Sequence, residues 1–319
     1  MARKPTKAKR QPITTLLPRP APSITKPTAS SSTTTRLRSS QKLISTYHTL
    51  NKKLSTLVKQ HDEPAAAAVR REMEAMGGLH AYQRASLAGN EKKGIVASEK
   101  WVLPFLRKER TRVHGIAQAV EGEVDKDADD ATVTTGTKAK EPTTKLKMLD
   151  VGAVNGQTYA KQASWIDVSR IDLNPQEPGI EKQDFFERSL PKSDAERFHV
   201  LCLSLVVNFV GDPKARGDML LKTLHYLLPH GLLFLALPLP CLTNSRYMTH
   251  EHFTAILTSM GYELVDHHHA RKLAFYVFRK SGNGKKGKGG KKIVEWPKRE
   301  MRPGGKRNNF CVVVRRGGE

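Results

Sequence analysis

A glycine turn that follows a short apolar run is the first point at which this sequence could bind a ligand. The run Leu146–Val151 is strand-like and leads directly into Gly152. A glycine at such a turn lets a ligand approach the backbone closely. A dinucleotide site would also need glycine at positions 154 and 157, where this chain has Val154 and Gln157. We therefore predict a ligand without a pyrophosphate, whose ammonium group the Asp150 carboxylate could hold.

An acidic residue at the end of the next apolar run suits the ribose of an adenosine-containing ligand. The segment Val168–Leu173 is predicted to be a strand, and Asp172 lies 20 residues after Gly152. In an open α/β sheet, an acid at this spacing lies where the ribose hydroxyls bind. An ionised carboxylate can accept both hydroxyl hydrogens. We assign Asp150, Gly152 and Asp172 to cofactor binding.

The segment Gln183–Phe186 is a second candidate for recognising the adenine of such a ligand. Asp184 could accept a hydrogen from the exocyclic amino group, and Phe185 could lie against the face of the ring. Core packing explains the two phenylalanines equally well, because large aromatic side chains are often buried. We predict that Asp184 and Phe185 bind the cofactor, with the packing interpretation left open.

Polar residues at the end of the run His199–Val207 are candidates for the reaction itself. The run contains Ser204 and is followed by Asn208 and Phe209. A base that is methylated at a ring nitrogen needs an acceptor for its amino edge and a flat group against its face. We predict Asn208 and Phe209 as the catalytic residues and Ser204 as a cofactor contact. The alternative is that Asn208 caps the following turn.

The histidines and cysteines do not favour a metal site. His267–His269 are consecutive, and neighbouring residues of a strand point to opposite faces, so the three cannot all bind one ion. We predict that they lie in a solvated turn. Cys202, Cys241 and Cys311 are far apart and form no Cys-x-x-Cys pair, which predicts neither a zinc site nor a disulfide framework.

Predicted strands alternate with predicted helices after residue 145, which indicates an α/β fold with a mainly parallel sheet. A helix could begin at Ala160–Ala163, and Tyr262–Val265 and Leu273–Arg279 form a terminal antiparallel pair. Phe310–Val314 could add a short strand. The predicted units are a disordered basic tail (1–38), a helical N-terminal region (39–117), an acidic and threonine-rich linker (118–144), a Rossmann-like domain (145–279) and a disordered basic, Gly/Lys-rich tail (280–319).

The distribution of charge points to a polyanionic partner. The formal net charge is +23; residues 1–38 hold nine cations and no acid, and residues 279–319 hold 14 cations and three acids. Residues 39–278 therefore carry only +3. Dense basic arms favour phosphate backbones through counterion release. The cluster Lys7–Arg10 is typical of nuclear targeting, and no run of 18 apolar residues indicates a membrane span.

Taken together, these motifs resemble those of the Bmt2-like family, the fungal 25S (large-subunit) rRNA adenine-N1 methyltransferases. The resemblance also includes Arg216–Leu220, Leu235–Tyr247 and, in the helical region, Gly77–Ser86. It implies a Rossmann-like class I methyltransferase fold that uses S-adenosyl-L-methionine, with Gly152 and Asp172 in the cofactor site. It further implies methylation of an adenine at N1 in large-subunit rRNA or a pre-ribosomal particle, in the nucleus and nucleolus.

Other functions remain open at this stage. The main alternative is a non-catalytic S-adenosylmethionine sensor of the same superfamily, although a sensor has no need of strongly basic arms. A methyltransferase for another substrate and an rRNA-binding assembly factor without a cofactor are further alternatives. The presence of Asp150, Gly152 and Asp172 argues against an assembly factor that has lost its cofactor site.

Overall fold

One seven-stranded sheet forms the centre of the computed structural model, which describes residues 30–90, 95–124, 145–282 and 294–315. The strands predicted from apolar runs between residues 146 and 279 are all present, because such runs become buried when both faces of a sheet are covered. The two-residue strand β3 is polar and gives no such signal. The strands are β1 (Leu146–Val151), β2 (Ile166–Asp172), β3 (Glu181–Lys182), β4 (Phe198–Ser204), β5 (Leu227–Pro238), β6 (Tyr262–His269) and β7 (Leu273–Lys280).

The strand order is β3-β2-β1-β4-β5-β7-β6. Strands β1 to β5 run parallel, and β7 is antiparallel to both β5 and β6. The order reverses between β1 and β4, and open α/β sheets bind ligands at the carboxyl ends of the strands beside such a reversal. This arrangement confirms the predicted Rossmann-like class I methyltransferase fold and places the ends of β1, β2 and β4 at the expected ligand edge.

The N-terminal helices α1 (Ser30–Lys59), α2 (Glu63–Ala75) and α3 (Gly78–Asn90) pack against one another. Their shared core contains Tyr47 and Leu50 of α1 together with residues of α2 and α3. Helix α1 begins inside the predicted tail, and residues 1–29 lie outside the described residues. Among the helices described, none is both long and apolar enough to span a membrane.

Helix α4 (Ile95–Val124) covers one face of the sheet. Val102 and Leu106 are fully buried against apolar residues of β1, β4 and β5. Glu109, also fully buried, forms an ion pair of 2.9 Å with Arg279 of β7. The helix continues through residues 118–124, which the sequence analysis assigned to the linker; residues 125–144 lie outside the described residues.

The helix expected after the glycine turn is absent from the connection between β1 and β2, which contains only the 3₁₀ turn Ala160–Gln162. Tyr159, just before this turn, is buried in the same apolar cluster as Val102 and Leu106 of α4. Because α4 already covers this face, a further helix is not needed there to bury the sheet.

The opposite face is covered by α5 (Pro213–Tyr226), α6 (Pro240–Thr243) and α7 (His250–Met260). The Asp212 side chain caps α5 by accepting a hydrogen bond from the Lys214 amide, and Gly261 ends α7 with a φ of +107°. A side-chain acceptor just before a helix and a glycine just after it are common limits of α-helices.

Residues 294–315 pack against the domain, which corrects the prediction of a disordered C-terminal tail in this part of the chain. Phe310–Val314 are all buried, and Trp296 and Val314 exchange backbone hydrogen bonds. A Cβ at position 217 would lie 2.1 Å from the Val313 carbonyl oxygen, so Gly217 permits this close approach. The apolar run outweighs the basic residues around it, although it forms only an isolated bridge and not the suggested strand. Residues 283–293 lie outside the described residues.

The predicted turn at His267–His269 is also wrong, because these residues form the end of β6. This strand was predicted to end at Val265. A register shift between Leu264 and Asp266 interrupts the ladder, after which His267, His268 and His269 pair with residues of β7. Pairing with an apolar strand therefore extends β6 through a polar sequence that gives no apolar signal.

Candidate active site

A cavity of about 630 Å³ opens at the carboxyl ends of β1, β2 and β4, between the sheet and the N-terminal helices. Its size is within the range of cofactor-binding pockets. Helices α1 and α3 contribute Tyr47, His48, Asn51, Tyr82 and Gln83 to its lining. All eight residues proposed from the sequence line it: Asp150, Gly152, Asp172, Asp184, Phe185, Ser204, Asn208 and Phe209.

The turn after β1 requires glycine. Gly152 has a φ of +73°, and a Cβ there would lie 2.6 Å from Cγ2 of Val206. The Gly152 amide donates a hydrogen bond of 2.8 Å to the Ile171 carbonyl, which fixes the turn against β2. A second close approach occurs at Gly156, whose amide donates to the Glu177 carboxylate over 2.8 Å. Gly152 therefore lets the backbone of the turn lie close to Val206 at the edge of the cavity, which Ala153 and Val154 also line.

Asp150 is a buried acid at the end of β1, with only 8% of its surface exposed. Burial raises the pKa of Asp150 to about 6, while a hydrogen bond from the Cys202 thiol and the charge of Arg170 act in the opposite direction. A buried carboxylate without a cationic partner is costly to ionise. A ligand ammonium group at this position would favour the ionised form, which is the chemistry predicted for Asp150.

Asp172 connects the sheet to the helical region. Its Oδ1 accepts hydrogen bonds from the Asn174 amide at 2.7 Å and from Nε2 of Gln83 in α3 at 3.1 Å. Gln83 also donates to the Asn174 carbonyl and accepts from the Asn174 side chain. Burial raises the pKa of Asp172, and the hydrogen bonds from Asn174 and Gln83 oppose that rise. The carboxylate retains a second oxygen that could accept from ribose hydroxyls.

Asp184 and Phe185 make different contacts beside the cavity. Oδ1 of Asp184 accepts a hydrogen bond of 2.7 Å from the Phe186 amide, which shapes a tight turn. Phe185 is 3% exposed, and its ring lies 5.3 Å from that of Tyr226. Core packing therefore accounts for most of the Phe185 surface, although the residue also borders the cavity. Phe186 is more exposed and lines the same side.

The loop after β4 contains an unpaired acceptor. Leu205 has a φ of +61°, which is unfavourable for a residue with a side chain and turns the backbone sharply after Ser204. Within the residues that the structure describes, Oδ1 of Asn208 is buried and has no hydrogen-bond partner. A buried unpaired carbonyl is costly unless a ligand donates to it. The predicted capping role of Asn208 leaves this oxygen unexplained, whereas base recognition would use it.

Phe209 belongs to an aromatic cluster that spans the two parts of the site. Its ring lies 4.5 Å from the His48 ring and 5.1 Å from the Tyr82 ring. Its carbonyl oxygen accepts a hydrogen bond from the Asn51 side chain over 3.4 Å. Burial, followed by the charge of Lys52, lowers the pKa of His48 to about 4, so this imidazole is neutral at pH 7. The rings of His48 and Tyr82 are inclined at 35° and 73° to the ring of Phe209, so a base could contact the face of one ring and the edge of another.

A buried arginine donates hydrogen bonds to the backbone of the loop that contains Asn208. Arg216 of α5 is 2% exposed and donates hydrogen bonds to the carbonyls of Val210 and Gly211. It also donates to the Cys311 carbonyl at 2.7 Å, and its guanidinium lies 4.7 Å from the centre of the Phe310 ring. The C-terminal segment and the loop at the cavity are therefore joined through one side chain.

A family model described as "25S rRNA (adenine(2142)-N(1))-methyltransferase, Bmt2" matches residues 67–312. That stretch includes the whole sheet, α3, most of α2 and most of the packed C-terminal segment, whereas the cavity residues of α1 lie before it. The chain belongs to this family.

Two curated fungal relatives agree with the family assignment. The "25S rRNA adenine-N(1) methyltransferase" of Schizosaccharomyces pombe is 30% identical over 277 residues, which cover 85% of this chain and 90% of that protein. The "25S rRNA (adenine(2142)-N(1))-methyltransferase" of Saccharomyces cerevisiae is 35% identical over 132 residues. This second match covers 41% of this chain and 39% of the relative.

Solved structures also include similar chains. The N-methyltransferase NodS from Bradyrhizobium japonicum, in complex with S-adenosyl-L-homocysteine, is 17% identical, with a TM-score of 0.33. The match covers 43% of this chain and 79% of that one. The fold of this chain is assigned from its own strand order.

Sequence reasoning did not find the part of the site that comes from the helices. No role was predicted for Tyr47, His48 or Asn51. Tyr82 and Gln83 lie inside the segment Gly77–Ser86, which was noted for its family resemblance but given no role. The signal available in the sequence was that a tyrosine and a glutamine follow two glycines in the predicted helical region. Only the fold shows that this helix faces β2.

Proposed function

We propose that this chain is a methyltransferase that uses S-adenosyl-L-methionine to methylate N1 of an adenine in large-subunit rRNA. Support comes from the family to which the chain belongs and from a cavity at the ligand edge of a class I fold. The observation that carries the proposal is the buried, unpaired Oδ1 of Asn208 in the same cavity as Asp172.

The lining residues fit the cofactor. Gly152 leaves backbone exposed at a turn that a side chain would obstruct. Asp150 offers a buried carboxylate for an ammonium group, and Asp172 offers one for ribose hydroxyls. Ser204, Asp184 and Phe185 border the remaining space, with Asp184 and Phe185 at the predicted adenine side. When bound, S-adenosyl-L-methionine supplies an electrophilic methyl group on a sulfonium.

The chain then has to position the target base. Neutral adenine already has a lone pair at N1, so the residues need not remove a proton from the nucleophile. Oδ1 of Asn208 can accept a hydrogen from the exocyclic amino group, and the Phe209 cluster can hold the face of the ring. Alignment of this kind supplies much of the rate in reactions that join two bound molecules. A carbonyl oxygen beside the amino group also favours the positive charge that develops on the ring.

The proposed reaction also requires that the target adenine is not base-paired. Adenine N1 is engaged in a base pair within a duplex, so the target base must be unpaired or turned out of its helix. The aromatic side chains of His48, Tyr82 and Phe209 offer a surface on which such a base can stack. The helical region is therefore proposed to contribute to substrate binding as well as to the wall of the cofactor cavity.

Methyl transfer with a labelled cofactor tests the proposal. The purified full chain is incubated with unmodified large-subunit rRNA, free and within precursor particles, and with cofactor carrying a trideuterated methyl group. Digestion to nucleosides and mass spectrometry should give labelled 1-methyladenosine. Asn208→Ala should lower the rate by about 10- to 100-fold without changing cofactor affinity. Cofactor binding without any labelled nucleoside would instead indicate a sensor and would overturn the proposal.

The basic arms are proposed to bind RNA phosphates, and the site of action is proposed to be the nucleolus within the nucleus. Residues 1–29 can be deleted, and the lysines of 283–293 can be replaced, without altering the sequence of the packed segment 294–315. Deleting 1–29 and replacing Lys285, Lys286, Lys288, Lys291 and Lys292 with glutamine should weaken RNA binding and reduce its salt dependence. An unchanged salt slope would contradict this role. Microscopy of a fluorescent fusion tests the location.

A further inference from the structure

Three histidines from two elements come together at the outer edge of the sheet. His267 and His269 point to the same face of β6, with His268 on the other face, as the alternation of a strand requires. His250, in the first turn of α7, faces the same two rings. One ring nitrogen from each of the three histidines lies within 4.8 Å of those of the other two.

A tyrosine hydroxyl contacts two of these imidazoles. The Tyr276 hydroxyl lies 2.8 Å from Nδ1 of His250 and 3.1 Å from Nε2 of His269. Metal-binding histidines commonly use their second ring nitrogen for a hydrogen bond that fixes the ring.

We propose that His250, His267 and His269 form a binding site for a divalent transition-metal ion, most readily Zn²⁺. Tetrahedral Zn–N bonds of about 2.0–2.1 Å place the nitrogens about 3.4 Å apart, so the rings must close by up to about 1.4 Å. His267 and His269 are exposed and can move by that amount. The fourth position stays open to water, as in sites with three histidine ligands. This site departs from the expectation that the chain has no metal site.

The site is separate from the methyl-transfer cavity, because none of the three histidines lines that cavity. An ion there would join the start of α7 to the end of β6. Arg302 of the C-terminal segment donates to the Met248 carbonyl, two residues before His250, so the same corner also holds that segment. We therefore expect a bound ion to stabilise the packing of α7, β6 and the C-terminal segment against one another.

Zinc titration of the full chain tests the site. The protein is prepared without a polyhistidine tag, treated with a chelator and desalted, and Zn²⁺ alone is added in a calorimeter. We expect one equivalent to bind and the melting temperature to rise. His267→Ala and His269→Ala should each weaken the affinity by at least about tenfold and remove the rise in melting temperature.

His268→Ala is the matched control, since it removes an imidazole from the same strand but from the opposite face. It should bind zinc as the unchanged protein does. The proposal is overturned if no zinc binds, or if the affinity of His267→Ala equals that of His268→Ala. Co²⁺ in place of Zn²⁺ gives an independent result, because absorption bands typical of tetrahedral coordination should appear and be lost in His250→Ala.

Discussion

Gln83 donates a hydrogen bond from Nε2 to Oδ1 of Asp172 over 3.1 Å, which joins α3 to the carboxyl end of β2. Gln83 exchanges two further hydrogen bonds with Asn174. The predicted ribose-binding acid is therefore also a docking point for the N-terminal helices. Cofactor affinity and the position of the helical region should depend on the same carboxylate.

Gln83→Ala should loosen the helical region without unfolding the sheet. Three hydrogen bonds are lost, each worth about 1 kcal/mol, and one of them is made to a carboxylate. We expect faster amide hydrogen exchange in α1 to α3 and unchanged exchange in β4 and β5. Arg84→Ala, an exposed neighbour in the same helix, is the control. Equal exchange in the two variants would show that the Gln83 contacts do not hold the helices.

Asp172→Asn should weaken the binding of S-adenosyl-L-methionine by about 10- to 100-fold, because hydrogen bonds to an ionised acceptor are worth about 1.5–3 kcal/mol. The amide keeps the shape of the side chain and can still accept from the Asn174 backbone. Isothermal titration calorimetry measures the change. Asp167→Asn, an exposed acid in the same strand, should bind as the unchanged protein does. Similar affinities for all three proteins would remove Asp172 from the cofactor site.

Asp150→Asn should stabilise the cofactor-free protein at neutral pH and much less at acidic pH. Burial raises the pKa of Asp150 to about 6, compared with about 3.9 in an unfolded chain. The native state therefore binds more protons than the unfolded state between about pH 4 and pH 6, and the free energy of unfolding falls as the pH rises through that window. The accumulated loss at pH 7.5 is about 3 kcal/mol.

Denaturant unfolding at several pH values measures this difference. Asp150→Asn should be more stable than the unchanged protein at pH 7.5, and the two curves should converge near pH 4. Asp167→Asn again serves as the control and should follow the unchanged protein. A constant difference between Asp150→Asn and the unchanged protein at every pH would contradict the raised pKa.

Gly152→Ala should destabilise the turn after β1. A residue with a side chain at a φ of +73° costs about 1–2 kcal/mol, and the new Cβ would lie 2.6 Å from Cγ2 of Val206. We expect a total loss of about 2–4 kcal/mol in the free energy of unfolding. Combining it with Val206→Ala should recover the part caused by the contact. No recovery in the double variant would mean that the backbone alone determines the cost.

The sheet and its ligand edge were predictable because the signals are local. The apolar run Leu146–Val151, the glycine at 152 and the acid at 172 each follow from strand and turn chemistry within a few residues. The end of β6 could not be predicted in this way, since His267–His269 are polar and their strand conformation depends on pairing with β7. The apolar run Phe310–Val314 suggested a short strand, whereas the basic residues around it favoured a disordered tail.

The candidate site was predicted only on its sheet side. Asn208 and Asp172 follow strands and could be placed from sequence, whereas Gln83 and His48 reach the cavity through contacts between distant parts of the chain. Gln83 lies 89 residues from Asp172 in sequence. The residues around Gln83 could suggest a functional segment, but they could not identify its partner at the end of β2. The aromatic cluster around Phe209 likewise appears only when α1 and α3 are docked on the sheet.

The most direct test of the central claim is the 1-methyladenosine content of large-subunit rRNA in cells with and without this gene, measured by nucleoside mass spectrometry. We expect one methylated adenine to be lost with the gene, to be restored by the unchanged protein and not to be restored by Asp172→Ala. An unchanged amount of 1-methyladenosine in the absence of the gene would contradict it.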